Sequence, residues 1–187
     1  MELDKAIDAR HSAKNFKEKI KPNYRDIIEA IEAGTKSPLA GNIPSIKFIL
    51  VSDKNKITKL AEYAEQDIIA KAHYVVVVCT DKTRLEKYYF ERASTYSRQQ
   101  AGAAIENFLL KIEDLGLATT WIGAFAEDLV QKELKIPKNI DVEAMFPIGY
   151  ELDKNPKKRI KPDLAKVLYY DKWENKHMKP AKTFAFD

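Results

Sequence analysis

Cysteine is almost missing from this chain of 187 residues: Cys79 is the only one, so no disulfide can form within it. It lies in the apolar run "YVVVVCT", where a buried structural thiol is expected rather than a reactive one. Histidine is scarce as well. His11, His73 and His177 are far apart and make no ligand-spaced cluster, so no metal site is expected. The six glycines form no G-x-G-x-x-G, no G-x-x-x-x-G-K-[ST] and no G-x-S-x-G, which removes the motifs of three large enzyme classes. No stretch approaches the roughly 20 apolar residues of a membrane span, and "MELDKAIDARHS" has no apolar signal-peptide core. A cytoplasmic protein without membrane contact is the expectation.

Neither sign of charge dominates. There are 32 basic and 28 acidic residues, a formal net charge of +4, and they are mixed along the chain. A nucleic-acid binder would concentrate that excess, and the densest basic run, "NPKKRIKP", is too short for such a surface. With 45% hydrophobic and 32% charged residues, the chain is globular. Its length suits one domain over residues 1–187.

What is present is an alternation of helical and extended patterns. "NYRDIIEAIEAG" has Tyr24, Ile27, Ile28 and Ile31 at helical spacing, opened by Pro22-Asn23 and closed by Gly34. "SPLAGNIPS" is a shaped loop, "IKFILVSD" a strand and "KNKITKLAEYAEQ" an amphipathic helix. "HYVVVVCT" has the continuous β-branched composition of a central strand covered on both faces. The longest helix is expected over Ser97 to Leu115, with one apolar stripe through Ala101, Ile105, Phe108 and Ile112, stopped by Gly116. "LATTWIGAF" reads as a strand entering a turn, "EDLVQKELKI" as a short helix and "DVEAMFPIGYE" as the last core strand. The fold class is therefore α+β, an α/β sandwich around a sheet.

Three stretches could jointly hold a flat, phosphorylated ligand. In "ARHSAKNF", Arg10 offers a forked donor set, Lys14 a point charge and Ser12 a hydroxyl, all suited to phosphate; read alone, the same cluster is more simply a solvated helix end, as charge runs usually are. In "SPLAGN", Pro38 stiffens the chain, Gly41 permits close backbone approach and Asn42 supplies a donor and an acceptor. In "WIGAF", Gly123 lets a backbone N–H face a ring system, or simply makes a tight turn.

Taken in order with "PIGYELDKNPKKRIKP", these motifs resemble the FMN-dependent nitroreductase family over nearly the whole chain, from Ala6 to about Trp173. The resemblance implies a mostly antiparallel central sheet flanked by helices in an intertwined homodimer, with two FMN sites at the subunit interface. It implies that Arg10, His11, Ser12 and Lys14, with Lys157 and Arg159, hold the cofactor's phosphate and ribityl chain. Pro38, Leu39 and Asn42 would approach the isoalloxazine from the partner chain. Ile122, Gly123 and Ala124 would lie over the ring, and Gln66 against the flavin. The implied activity is NAD(P)H-dependent reduction of electron-poor acceptors such as nitroaromatics and quinones by a ping-pong mechanism. The chemistry is borne by the flavin, with Lys14 as the candidate to steady negative charge on its reduced form.

The chain departs from the family pattern where Leu39 replaces a Ser, where Pro44, Ser45 and Ile46 replace Gln, Pro and Trp, and where Ala124 replaces a frequent Gly. These departures bear on substrate more than on cofactor, and they keep open a second reading, a flavin-binding protein of little turnover serving storage or sensing. The apolar helix around Phe108 and the aromatic tail (Tyr169, Tyr170, Trp173, Phe184, Phe186) supply surface for the dimer, the segment from about residue 160 embracing the partner. "RLEKYYFERASTYS" carries Tyr88, Tyr89 and Phe90 and is expected to be a wall or lid over the flavin's open face, or else packing at the interface.

Overall fold

The computed structural model describes residues 1–153 and 162–178, in two compact units, Met1–Pro156 and Lys157–Asp187. In the first unit, four strands form one antiparallel sheet: β1 (Ile46–Val51), β2 (Tyr74–Thr80), β3 (Ala118–Thr119) and β4 (Asp141–Gly149), in the spatial order β1-β2-β4-β3. Around it lie α1 (Leu3–Ala9), α2 (Tyr24–Thr35), α3 (Lys54–Ala64), α4 (Asp67–Ala70), α5 (Thr83–Tyr89), α6 (Ala93–Asp114) and α7 (Glu127–Leu134).

Every residue of β2 is buried, because helices cover both faces of the sheet. Side chains alternate across a strand, so Tyr74, Val76 and Val78 pack with Phe146, Ile148 and the stripes of α2 and α6. Val75, Val77 and Cys79 point the other way, toward Met145, Ile57, Leu60 and Val130 of the α3/α7 layer. Cys79 is structural, as expected: burial first, then the nearby Glu143 and Glu127 carboxylates, push its thiol up to about 12.

Local signals set most boundaries. Asn23 caps α2 by accepting from the Arg25 N–H, and Asp53 caps α3 by accepting from Asn55 and Lys56. Such caps are worth about 1 kcal/mol each. Gly116, at φ +69°, ends α6: the Leu117 N–H reaches the Ile112 carbonyl and the Gly116 N–H that of Glu113, the paired bonds of a left-handed helix stop.

Tertiary packing changed four expectations. Gly34 does not close α2, which runs to Thr35; a Cβ there would lie 3.1 Å from the Ala104 carbonyl, so this glycine serves the close crossing of α2 and α6. On α2 the buried face is Ile27, Ala30 and Gly34, whereas Tyr24 and Ile28 stay about half exposed. The long helix begins at Ala93 rather than Ser97, because Ala93 is buried against Ile43 and Leu85 and holds the extra turn in place. Phe108 does not supply surface for a partner. It is fully buried, edge-on to Phe146 with ring centroids 5.5 Å apart, and its stripe belongs to the chain's own core.

In the second unit, α8 (Leu164–Val167) is capped by Asp163. Tyr169 lies 4.7 Å from Trp173 between ring centroids, and the Lys176 ammonium sits 4.0 Å over the Tyr169 ring. Phe184 and Phe186 lie outside the described residues.

Candidate cofactor and substrate site

After α1 the backbone turns extended at Arg10 and docks on the edge of the sheet. The Ala13 N–H donates to the Thr119 carbonyl at 2.9 Å, Phe16 bridges Glu151, and the Lys17 N–H donates to the Tyr150 carbonyl at 2.8 Å. Phe16 is the anchor. It is buried, and its ring lies where a Cβ on Gly149 would be, 2.6 Å from that position. With Ala13 and Phe16 facing in, Ser12 and Lys14 face solvent, and neither has a partner among the described residues. The Arg10 Nε lies 3.7 Å from a Glu106 carboxylate oxygen.

His11 is differently placed. Its Nδ1 lies 2.8 Å from the Ala9 carbonyl and its Nε2 2.7 Å from the carboxylate of the buried Glu151. Both partners are acceptors, so the ring is satisfied only when both nitrogens carry protons. Burial opposes that charge, but the hydrogen bonds to Ala9 and Glu151 and the charges of Glu151 and Glu113 outweigh it and raise the His11 pKa. His11 therefore has no free donor to offer a phosphate; it ties the basic motif to the end of β4. Nothing in the sequence marked Glu151 for this.

The "WIGAF" stretch continues along the same edge. Ile122 is buried and exchanges two backbone hydrogen bonds with Met145, at 3.0 and 2.9 Å. Gly123 and Ala124 are exposed, and their backbone N–H groups have no partner among the described residues. The Ala126 N–H donates to the Tyr63 carbonyl at 2.8 Å, which fastens this turn to the end of α3, three residues before Gln66. Gln66 is exposed at the head of α4, and Ile68 of that helix packs on Ala13, Phe16 and Ala118. The first motif, Gln66 and residues 122–124 thus share one edge. Thr119 adds a buried hydroxyl without a partner there, a group that sequence reasoning missed.

Pro38, Leu39 and Asn42 are elsewhere. Their loop, with a short 3₁₀ turn over Ala40–Asn42, leads into β1 at Ile46, which pairs with Thr80, itself opposite Asp141. Thr119 pairs instead with Ile148. Seven residues of strand separate those registers, about 23 Å, and β1 and β3 are opposite edges of the sheet. One chain therefore does not bring this loop to its own basic motif. The departures from the family pattern here are used by the fold: Ser45 is buried with its hydroxyl 3.2 Å from the Gln100 side-chain oxygen, and Ile46 opens β1. Beside the loop is an open cleft of about 540 Å³, lined by Gly41, Asn42, Ile43, Arg84, Tyr88 and Tyr89. Tyr88 and Phe90 are 66% and 77% exposed, whereas Tyr89 is packed edge-on to Tyr96 with centroids 5.0 Å apart. Lys157 and Arg159 lie outside the described residues.

An antiparallel sheet covered by helices, with a hydroxyl-and-ammonium cluster and free backbone donors along one edge, defines an α+β domain. The chain belongs to the nitroreductase family, whose sequence profile matches residues 7–72 and 62–150, and it is an oxidoreductase. An Archaeoglobus fulgidus protein named for NADH dehydrogenase/NAD(P)H nitroreductase activity is 30% identical over 157 residues, 79% of this chain and 86% of that one. An iodotyrosine deiodinase of Thermotoga neapolitana is 24% identical over 79% of this chain and 88% of its own length. The NADPH:FMN oxidoreductase of Vibrio harveyi, solved with NAD+, has the same fold, with a TM-score of 0.82, 21% identity, and 92% of this chain and 78% of that one covered. No helix among the described residues is long and apolar enough to cross a membrane.

Proposed function

We propose that this chain is an FMN-dependent oxidoreductase that takes reducing equivalents from NAD(P)H and delivers them to electron-poor acceptors such as nitroaromatics or quinones. The observation that carries this reading is the shared edge of β3. Ser12 and Lys14, on either side of the Ala13–Thr119 hydrogen bond, stand at one position on it, and the free N–H groups of Gly123 and Ala124 stand further along. Thr119 faces Ile148 and Ile122 faces Met145, a step of three residues or about 10 Å, which a ribityl chain can bridge between phosphate and ring. The donor set suits the group: hydroxyl, ammonium and the terminal guanidinium nitrogens of Arg10 for a phosphate, backbone donors for the polar edge of a ring.

When bound, FMN supplies the hydride-accepting and hydride-donating chemistry that no side chain of this site offers. Lys14, Ser12 and Arg10 would bind the phosphate, and by the family pattern Lys157 and Arg159 would complete the set. The exposed ammonium of Lys14 also lowers the cost of negative charge nearby. The N–H groups of Gly123 and Ala124 would hold the polar edge of the ring, and NAD(P)H and acceptor using the one site in turn would give ping-pong kinetics. The loop of Pro38, Leu39 and Asn42, too far from its own chain's motif, completes the site of a partner in a homodimer. The acceptor is set by the pocket rather than by family membership, since one relative carries the name of a deiodinase.

Purified protein should be yellow, with flavin absorbance bands, and should oxidise NAD(P)H when a quinone or nitroaromatic is supplied. A colourless protein that takes up no FMN on titration would refute the cofactor. A yellow protein without turnover would leave flavin storage or sensing as its role.

A further inference from the structure

The cleft between the loop Gly41–Ile43 and α5 has a definite chemical character. One wall is rigid: Tyr89 is locked edge-on to Tyr96, and its hydroxyl occupies the space a Cβ on Gly41 would need, 2.2 Å from that position. Gly41 also has φ +56°, so backbone and packing both demand glycine there. Tyr88 also lines the cleft, an exposed aromatic face at which a planar ring can stack. Two polar residues, Asn42 and Arg84, are also in the lining, and neither side chain has a partner among the described residues. No carboxylate lines the cleft. Nearby Arg92 is engaged over the Tyr96 ring, which leaves Arg84 as the lining's cation.

We propose that this cleft is the acceptor subsite and that it selects planar aromatic acceptors carrying an anionic group. The Arg84 guanidinium pairs with the anion, Tyr88 stacks on the ring and Asn42 hydrogen-bonds the anion or a ring substituent. The assignment rests on the functional reading above, in which the Gly41–Asn42 loop stands beside the partner's flavin and carries the cleft with it. A forked guanidinium against a carboxylate is a strong, directional contact, and a neutral acceptor of the same shape leaves it unmade. The phosphates of NAD(P)H are the other anion that could meet Arg84, and the test separates the two.

Benzoate and benzamide, alike in shape and neither reducible by the enzyme, are titrated calorimetrically into the FMN-loaded protein, and then into Arg84→Gln and Arg84→Lys. KM for NADPH and kcat/KM for 4-nitrobenzoate and 4-nitrobenzamide are measured alongside. Benzoate is expected to bind roughly tenfold to hundredfold more tightly than benzamide, the range for a charge-assisted pair. That preference collapses in Arg84→Gln and is partly restored in Arg84→Lys, and the nitrobenzoate preference in kcat/KM follows it. Arg84 is exposed, so the substitution does not threaten folding; retained flavin absorbance and unchanged mass verify this. Equal affinity for the two probes overturns the proposal, as does a preference that survives Arg84→Gln. A change confined to the KM for NADPH overturns it too, because the anion met there is then the nucleotide's. Failure of the broader reading looks different: no acceptor is reduced, while the probe affinities still report on the cleft.

Discussion

Replacing Glu151 with Gln should cost stability in acid and very little in alkali. In the folded protein the His11 imidazolium donates one hydrogen bond to the Ala9 carbonyl and one, at 2.7 Å, to the buried Glu151 carboxylate. Its pKa is raised above that of a free imidazole, burial opposing and the bonds to Ala9 and Glu151 prevailing. A group whose folded pKa lies above its unfolded one contributes its full stabilisation below the unfolded pKa and loses it as pH rises through the folded value. The Glu151→Gln variant keeps a hydrogen bond to neutral His11 through its amide but loses the charge. The cost is thus smaller than the 3–5 kcal/mol of a buried charge left wholly unpaired, and about 1–3 kcal/mol is expected below pH 6. Urea unfolding of wild type and variant, at fixed protein concentration and at steps from pH 5.5 to 9, measures the gap. It should shrink steadily as pH passes upward through the folded pKa of His11, which NMR titration of the ring locates independently. A gap that is constant with pH, or that widens in alkali, refutes the ion pair as the clasp between the basic motif and β4.

The same segment is tested sterically by Gly149→Ala, whose added Cβ would meet the Phe16 ring at 2.6 Å; overpacking of about 1–3 kcal/mol is expected in thermal unfolding, with weaker FMN binding as Ser12 and Lys14 shift. Arg10→Ala and Arg159→Ala should each weaken FMN by about 1–3 kcal/mol, read by fluorescence titration, and unchanged affinity in both would remove the phosphate assignment. Tyr88→Ala and Phe90→Ala, at exposed positions, should alter acceptor kcat/KM while leaving FMN affinity and mass intact. Tyr89→Ala should instead lower the melting temperature, because that ring is packed on Tyr96 and Gly41; equal effects from all three substitutions would argue against a division between exposed and packed rings.

The sequence alone determined what depends on neighbours along the chain. The β-branched run from Val75 to Val78 could only be a strand covered on both sides, since each face of it is apolar. Asn23 announces its helix because a cap acts on N–H groups two or three residues away, and Gly116 ends α6 through its own backbone conformation. The chemistry of the basic motif was equally legible, because Ser12, Lys14 and Arg10 carry their donors wherever the fold puts them. What only the tertiary structure decided is which groups are already engaged. His11 reads like the rest of its motif, and it is taken out of the donor set by Glu151, 140 residues later. Tyr24 and Ile28 have the same spacing as the core residues of α2, and they face outward because Gly34 lets α6 approach on the other side. Periodicity states which residues share a face but not what that face meets. For the same reason, the spacing of the three motifs along the chain does not tell that two of them lie on one edge of the sheet and the third lies by the opposite edge, about 23 Å of strand away.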